Sequence, residues 1–276
     1  MGKRVAYQGI AGSFSSMAAR ALYGSGITPI QTTRFREIFE HVVSGSADVG
    51  VVPLENALAG SVHENYDLLQ EFECYIVGEY YCPVHLHVLG SGPIEKVRRV
   101  LSHPKALEQC SIFLERHPEI TAVVCSDTAA AALQVRDSRD PSQAALASAE
   151  AAATYHLPIL ARSIQNHQDN STRFVSISAQ PSQCETPTKS SIVVSLPHEP
   201  GSLYKLLGEI ASLSLNLTKI ESRPILGRPF EYAFHIDIEC PIEQTSHLRE
   251  ASARLARYAS VFRELGLYQA KSPLTP

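Results

Sequence analysis

The 276-residue chain carries no dense run of lysine or arginine, and its formal net charge at neutral pH is −4. Phosphate backbones are held by a concentrated basic footprint, so nucleic acid is not expected as a partner. No apolar stretch reaches the ~18 residues that a membrane-crossing helix needs, so no membrane partner is expected. No export signal stands before Val5-Ala6-Tyr7, which already reads as a strand; a cytoplasmic location is expected. None of the six cysteines is spaced Cys-x-x-Cys, and a chain this long forms a core without disulfide staples. Gly9-Ile10-Ala11-Gly12-Ser13 departs from the Gly-x-Gly-x-x-Gly dinucleotide pattern. His85 and His87 share one face of a strand, but no third ligand stands at a recognisable spacing. Neither a metal nor any other cofactor is therefore expected. His103 and Cys110 are seven residues apart, ~10 Å along a helix, which is too far for a nucleophile–base pair.

What is present suits a soluble enzyme. The length suits one large or two medium domains, and with hydrophobic residues at 44% and charged residues at 19% there is enough apolar material for their cores. The first ~180 residues alternate strands and helices. Val5–Gln8 is a strand, and Ser13 or Ser15 caps a helix through Leu22. Phe35, Ile38, Phe39, Val42 and Val43 mark an amphipathic helix, with Thr33 as its expected cap. Residues 48–53 form a buried parallel strand. Strands at 75–81, 85–89, 97–101, 122–126 and 144–147 follow, with helices at 104–116, 127–135 and 149–155. The chain then returns as a strand at 170–178. This pattern predicts an α/β fold of two lobes with a cleft where they meet, a favoured place for a small ligand.

Residues 179–189 are rich in Pro, Ser and Thr and read as a linker. Beyond them strands at 191–196, 217–222, 231–239 and 261–268 enclose helices at 202–213 and 243–257, with a turn at Leu226-Gly227-Arg228. That βαββαβ order is α+β and ferredoxin-like. Two domains are expected, 1–180 and 190–270.

Polar groups stand where such a fold presents ligands. Gly9 and Gly12 shape a strand-to-helix turn whose free N–H groups suit a carboxylate, or Ser13 simply caps the helix. Glu55 and Asn56 follow a strand ending near Pro53, at the favoured ligand edge of an α/β sheet, or form an Asx turn. Ser102 and Gln109 lie on one side of a helix start, with Ser102 also a plausible cap before Pro104. Asn170-Ser171-Thr172-Arg173 leads into the apolar strand Phe174–Ile177. Arg173 suits a bidentate grip on a carboxylate, or pairing with an acidic neighbour.

In order, the blocks Gly12-Ser13-Phe14-Ser15, Val52-Pro53-Leu54-Glu55-Asn56, Ser102-His103-Pro104 through Cys110, Thr172-Arg173-Phe174 and Glu221-Ser222-Arg223-Pro224 resemble prephenate dehydratase with a C-terminal ACT regulatory domain. The resemblance runs from about Val5 to about Tyr268. It implies a catalytic region of periplasmic-binding-protein type that converts prephenate to phenylpyruvate in phenylalanine biosynthesis, with arogenate as the rival substrate. A non-catalytic amino-acid sensor is the rival class. The resemblance places Ser13, Asn56, Ser102 and Arg173 at the substrate, and Glu55, Asn56 and Gln109 in the catalytic region. It makes Thr172 the proton donor to the leaving hydroxyl, with Glu55 as an alternative acid if burial raises its pKa. Ala57 stands where the family block usually has Ser. The ACT resemblance implies a homodimer or homotetramer that binds phenylalanine between subunits, through Gly201, Ser202, Leu203, Glu221 and Ser222. No chorismate mutase helix precedes Val5, so a bifunctional enzyme is not expected.

Overall fold

The computed structural model describes residues 2–271 apart from Leu226 and Pro229, so part of the expected 226–228 turn lies outside the described residues. The first lobe is built from β1 (Arg4–Gln8), α1 (Phe14–Tyr23), β2 (Thr28–Thr32), α2 (Phe35–Val43), β3 (Val49–Asn56), β4 (Gly60–Ser61), α3 (His63–Glu71) and β5 (Tyr75–Pro83). The second holds β6 (His87–Gly90), β7 (Arg99–Ser102), α4 (Pro104–Gln109), α5 (Ser111–Glu115), β8 (Thr121–Val124), α6 (Thr128–Ser138), β9 (Gln143–Ala147), α7 (Ala149–Tyr155) and β10 (Ile159–Ala161). The chain then returns as β11 (Ser171–Ser178). A third unit follows: β12 (Lys189–Ser195), α8 (Ser202–Ser212), β13 (Asn216–Pro224), β14 (Tyr232–Glu239), α9 (Thr245–Leu255) and β15 (Val261–Tyr268).

Each lobe has its own sheet. The first runs β2-β1-β3-β11-β5, with β4 paired to β3; the second runs β10-β6-β9-β7-β8. β3 is parallel to β1, as expected, but the returning β11 lies antiparallel between β3 and β5, so the sheet is mixed. The third sheet, β13-β14-β12-β15, is antiparallel and ferredoxin-like.

Side-chain caps explain several helix starts. Ser13 Oγ accepts from Ser16 N at 3.2 Å, Asp127 Oδ1 from Ala130 N at 2.7 Å, and Ser148 Oγ from Ala151 N at 3.0 Å. At α2 the cap position is Arg34 rather than Thr33, whose N–H donates to Glu37 instead. The helix expected over 104–116 is interrupted at Cys110, which closes α4 and opens α5.

The third sheet docks on the first lobe. Val193, Ala233, Leu265 and Tyr268 share one apolar cluster with Leu69, Cys74 and Ile76. Along β13, Lys219, Glu221 and Arg223 face the first lobe, where they meet Glu55, Ser61 and Asp67.

Candidate active site

A cleft of about 710 Å³ opens between the two lobes. Ser13 comes to it from the first lobe and His103, Gln109 and Asp127 from the second, while Asn56 and Thr172 sit opposite each other where β3 and β11 pair. The starts of α1, α4 and α6 all reach the wall, through Phe14 and Ser15, Lys105 and Ala106, and Thr128 and Ala130. Helix N-termini carry partial positive charge and unpaired N–H groups, so the cleft favours an anion. The Lys105 ammonium, 3.0 Å from Glu108, adds a cation at the rim.

His103 caps α4 by accepting from Lys105 N at its Nδ1, 3.2 Å away, so the ring proton belongs on Nε2. Burial holds its pKa below the usual imidazole value, against the pull of Asp127 and with the help of Lys105. His103 is thus a neutral donor at neutral pH. Burial pushes the Cys110 thiol up to about 12, which fits a small apolar residue rather than a nucleophile.

Asn56 Nδ2 donates to Thr172 Oγ1 at 3.0 Å, while Asn56 Oδ1 accepts from Leu58 N and Ala59 N at 3.1 and 2.8 Å. The Asx turn and the cleft-facing amide are therefore one arrangement, not alternatives. Because Oγ1 of Thr172 accepts from Asn56, its own O–H is left to donate into the cleft.

Three expected site residues lie elsewhere. Successive residues of a strand point to opposite faces, so Asn56 and Thr172 face the cleft while Glu55 and Arg173 face the third sheet. Glu55 pairs with Lys219 Nζ at 3.0 Å. Arg173, 4% exposed, donates to Glu79 at 2.8 Å, to Tyr268 Oη at 2.9 Å and to Asp237. Burial opposes its charge, but Asp237, Tyr268 and Glu79 hold its pKa well above the ordinary value. Lys189, 3.0 Å from Glu79, completes a buried cluster of two cations and two acids. Ser102 is fully buried behind the wall and donates to Leu146 O at 2.7 Å. Ala57 lies on an exposed turn, its N–H on Ser171 O, so the hydroxyl it lacks is not part of the cleft wall.

The lobes are joined at the β1–α1 turn. Tyr155 Oη donates to Ala11 O at 2.6 Å and Ser148 Oγ to Gly12 O at 2.9 Å. Gly12 has φ +86°, and a Cβ there would sit 2.9 Å from the Ala151 Cα.

On the third unit, Ser202 and Leu203 line a groove of about 410 Å³ with Pro200, Tyr232 and Phe234. Gly201, φ +83°, sets the turn before α8. Glu221 does not face that groove: its carboxylate takes Ser61 Oγ at 2.9 Å and stands 3.1 Å from His63 Nε2. Ser222 lies on the opposite face of β13 and is exposed.

The family model for prephenate dehydratase matches residues 5–182. The chain belongs to the prephenate dehydratase family. It is 40% identical over 278 residues to "Arogenate dehydratase/prephenate dehydratase 2, chloroplastic" of Arabidopsis thaliana, covering 96% of this chain and 72% of that protein. The structure of prephenate dehydratase in complex with L-Phe from Arthrobacter aurescens is 29% identical, with TM-score 0.84 over 97% of this chain and 90% of that one. The structure of GqqA, described as a quorum-quenching acylase, is 31% identical, with TM-score 0.84 over 98% of each chain.

Sequence reasoning did not place Asp127 or Lys105 in the site and kept His103 out of the catalytic set. A usable signal is the repeat of strand, cap and helix start at Gly12-Ser13, Ser102-His103-Pro104 and Ser126-Asp127-Thr128. In a two-lobed α/β fold those three junctions converge on the cleft.

Proposed function

We propose that this chain is a prephenate dehydratase, a carbon–oxygen lyase that makes phenylpyruvate, water and carbon dioxide. The observation that carries the reading is the Asn56–Thr172 pair, which presents an O–H donor in a cleft ringed by helix N-termini. Prephenate is a dianion with a ring hydroxyl. The helix starts and Lys105 suit its carboxylates, and Gln109 supplies a further amide in the wall. The ring C–O bond breaks with its electron pair on oxygen, which takes one proton and leaves as water. The ring carboxylate leaves as carbon dioxide, and the electrons of its C–C bond complete the aromatic ring. Electrons move only within the substrate.

An aliphatic hydroxyl is a weak acid, so proton delivery by Thr172 is concerted with C–O cleavage and with return of a proton to its oxygen from solvent water, and the hydrogen bond from Asn56 orients it for that role. His103 Nε2 is a second neutral N–H or O–H donor of this kind, beside the Gln109 amide in the same wall. Removing a donor aimed at developing charge costs on the order of 10²–10³ in rate, which is the loss expected for Thr172→Ala. Thr172→Ser keeps the hydroxyl and retains more turnover. Near-wild-type kcat in the Ala variant, with an unchanged melt, would remove Thr172 from the mechanism.

Arogenate is the second reading: it carries an amine in place of the side-chain keto group, and Asp127 puts a carboxylate in the wall that an ammonium would meet. Acyl transfer, the activity named for GqqA, calls for a nucleophile held on a base. Among the described residues no hydroxyl or thiol of this cleft is hydrogen-bonded to a histidine.

The same proposal assigns residues 1–180 to catalysis and 190–270 to regulation. Phenylalanine occupies the Ser202–Leu203 groove and inhibits turnover, in a homodimer or homotetramer. The apolar surface of Tyr204, Ile220 and Tyr232, 79, 40 and 44% exposed, supports an association face on the third unit. No helix of the described residues is long and apolar enough to cross a membrane; a cytoplasmic location is part of the proposal, tested by fractionation.

A further inference from the structure

The hydrogen bonds around Thr172 run in one direction, and backbone groups set it. Leu58 N and Ala59 N both donate to Asn56 Oδ1, which fixes the oxygen toward the turn and the nitrogen toward β11. Asn56 Nδ2 then stands 2.8 Å from Asn170 Oδ1, 3.1 Å from Ser171 O and 3.0 Å from Thr172 Oγ1. Two hydrogens serve three acceptors. Asn170 is 2% exposed, and its own Nδ2 has no partner among the described residues. The orphan follows from the chain of donors: turning the Asn170 amide over would set two nitrogens against each other. A buried donor left unpaired costs roughly 1–3 kcal/mol, which a leucine of similar size would avoid. What Asn170 supplies in return is an acceptor oxygen at one place. Its backbone is fixed there as well, since Asn170 O accepts from Val84 N at 2.9 Å where the chain leaves for the second lobe.

We propose that Asn170 is a positioning residue for the dehydration. It takes one Asn56 hydrogen, so that the other is directed at Thr172 Oγ1 and the Thr172 proton faces the cleft. The assignment rests on the dehydratase reading above. Without Asn170 Oδ1, the amide of Asn56 rotates toward Ser171 O, and the bond that orients the Thr172 hydroxyl lengthens. A displacement of about 1 Å in a catalytic group can cost on the order of 10²-fold in rate.

The test compares the full-length wild-type chain with Asn170→Leu and Asn170→Asp. Steady-state kinetics on prephenate and on arogenate, thermal melts, and NMR exchange of the Asn56 side-chain amide protons are measured. Asn170→Leu is expected to lower kcat roughly 10- to 100-fold while KM moves less than about threefold. Its melting temperature is unchanged or higher, because the orphaned donor is gone. Asn170→Asp keeps an acceptor oxygen in place and recovers part of the lost kcat. The Asn56 amide protons exchange faster in the Leu variant than in the wild type. Wild-type kcat in Asn170→Leu overturns the assignment, as does a kcat loss in both variants that follows their melting temperatures, or unchanged Asn56 exchange. A wild-type chain that turns over neither substrate overturns the dehydratase reading itself, a result distinct from an active wild type with an unaffected Leu variant.

Discussion

Acid should loosen the contact between the third sheet and the first lobe, and the group responsible is His235. Its ring lies against Tyr66 of α3, centroids 4.8 Å apart, and its Nε2 accepts from Gln70 Nε2 at 2.8 Å. The proton is then on Nδ1, which is buried without a partner among the described residues. Burial brings its pKa down from 6.5 to about 4; Asp237 and Asp67 oppose the shift and Arg223 adds to it. Protonation would aim a second N–H at the Gln70 amide and place a charge in a site 2% exposed. The unfolded chain binds this proton near pH 6.5 and the folded chain only near pH 4, so stability rises with pH across that window and falls on acidification. At 1.36 kcal/mol per pKa unit the full loss is about 3 kcal/mol, of which about 2 kcal/mol falls between pH 7 and pH 5. Denaturant unfolding of wild type and His235→Gln at those two pH values isolates the contribution, since most carboxylates stay ionised in both. The wild type should lose about 2 kcal/mol more than the variant. Equal losses would show that His235 is not held neutral by its burial.

The β1–α1 turn is predicted to be intolerant. Gly12→Ala combines a left-handed φ, which costs an L-residue roughly 1–2 kcal/mol, with a backbone clash at Ala151, and should lower both the melting temperature and kcat. Exhaustive chelation and dialysis should leave activity unchanged, because the reaction moves electrons only within the substrate; loss that returns with one specific metal would contradict the mechanism. Leu203→Ala, in the third-unit groove, should raise the phenylalanine concentration needed for half-inhibition and leave basal kcat unchanged. Glu221→Gln should change turnover as well as inhibition, because Glu221 is bound to Ser61 and His63 of the first lobe. If Glu221→Gln altered inhibition alone, the effector site would be closer to Glu221 than to the groove.

Elements with a clear period or cap are legible in the sequence. α2 follows its Phe35–Val43 stripe, α1 and α6 follow their capping residues, and the third unit shows its βαββαβ order between apolar runs. β2 and α3 are not. Thr28-Pro29-Ile30-Gln31-Thr32 has one large apolar residue and a proline, and α3 begins at His63 without a side-chain cap. In the site, Asn56 and Thr172 were reachable as polar residues at strand ends. Glu55 and Arg173 share their blocks, but the period of two along a strand already implies that they leave by the other face. Which charges wait there depends on Lys219 and Asp237, far along the chain, and no local pattern announces them. Asn170 was visible only as part of a polar cluster; its role needs the direction of each hydrogen bond.

Dehydration by this cleft is tested most directly by product analysis of the purified full-length chain supplied with prephenate and, separately, with arogenate, with Thr172→Ala run alongside. Phenylpyruvate is expected from prephenate, with turnover lost in the variant; release of no aromatic product from either substrate, or equal turnover by the variant, would contradict the dehydratase assignment.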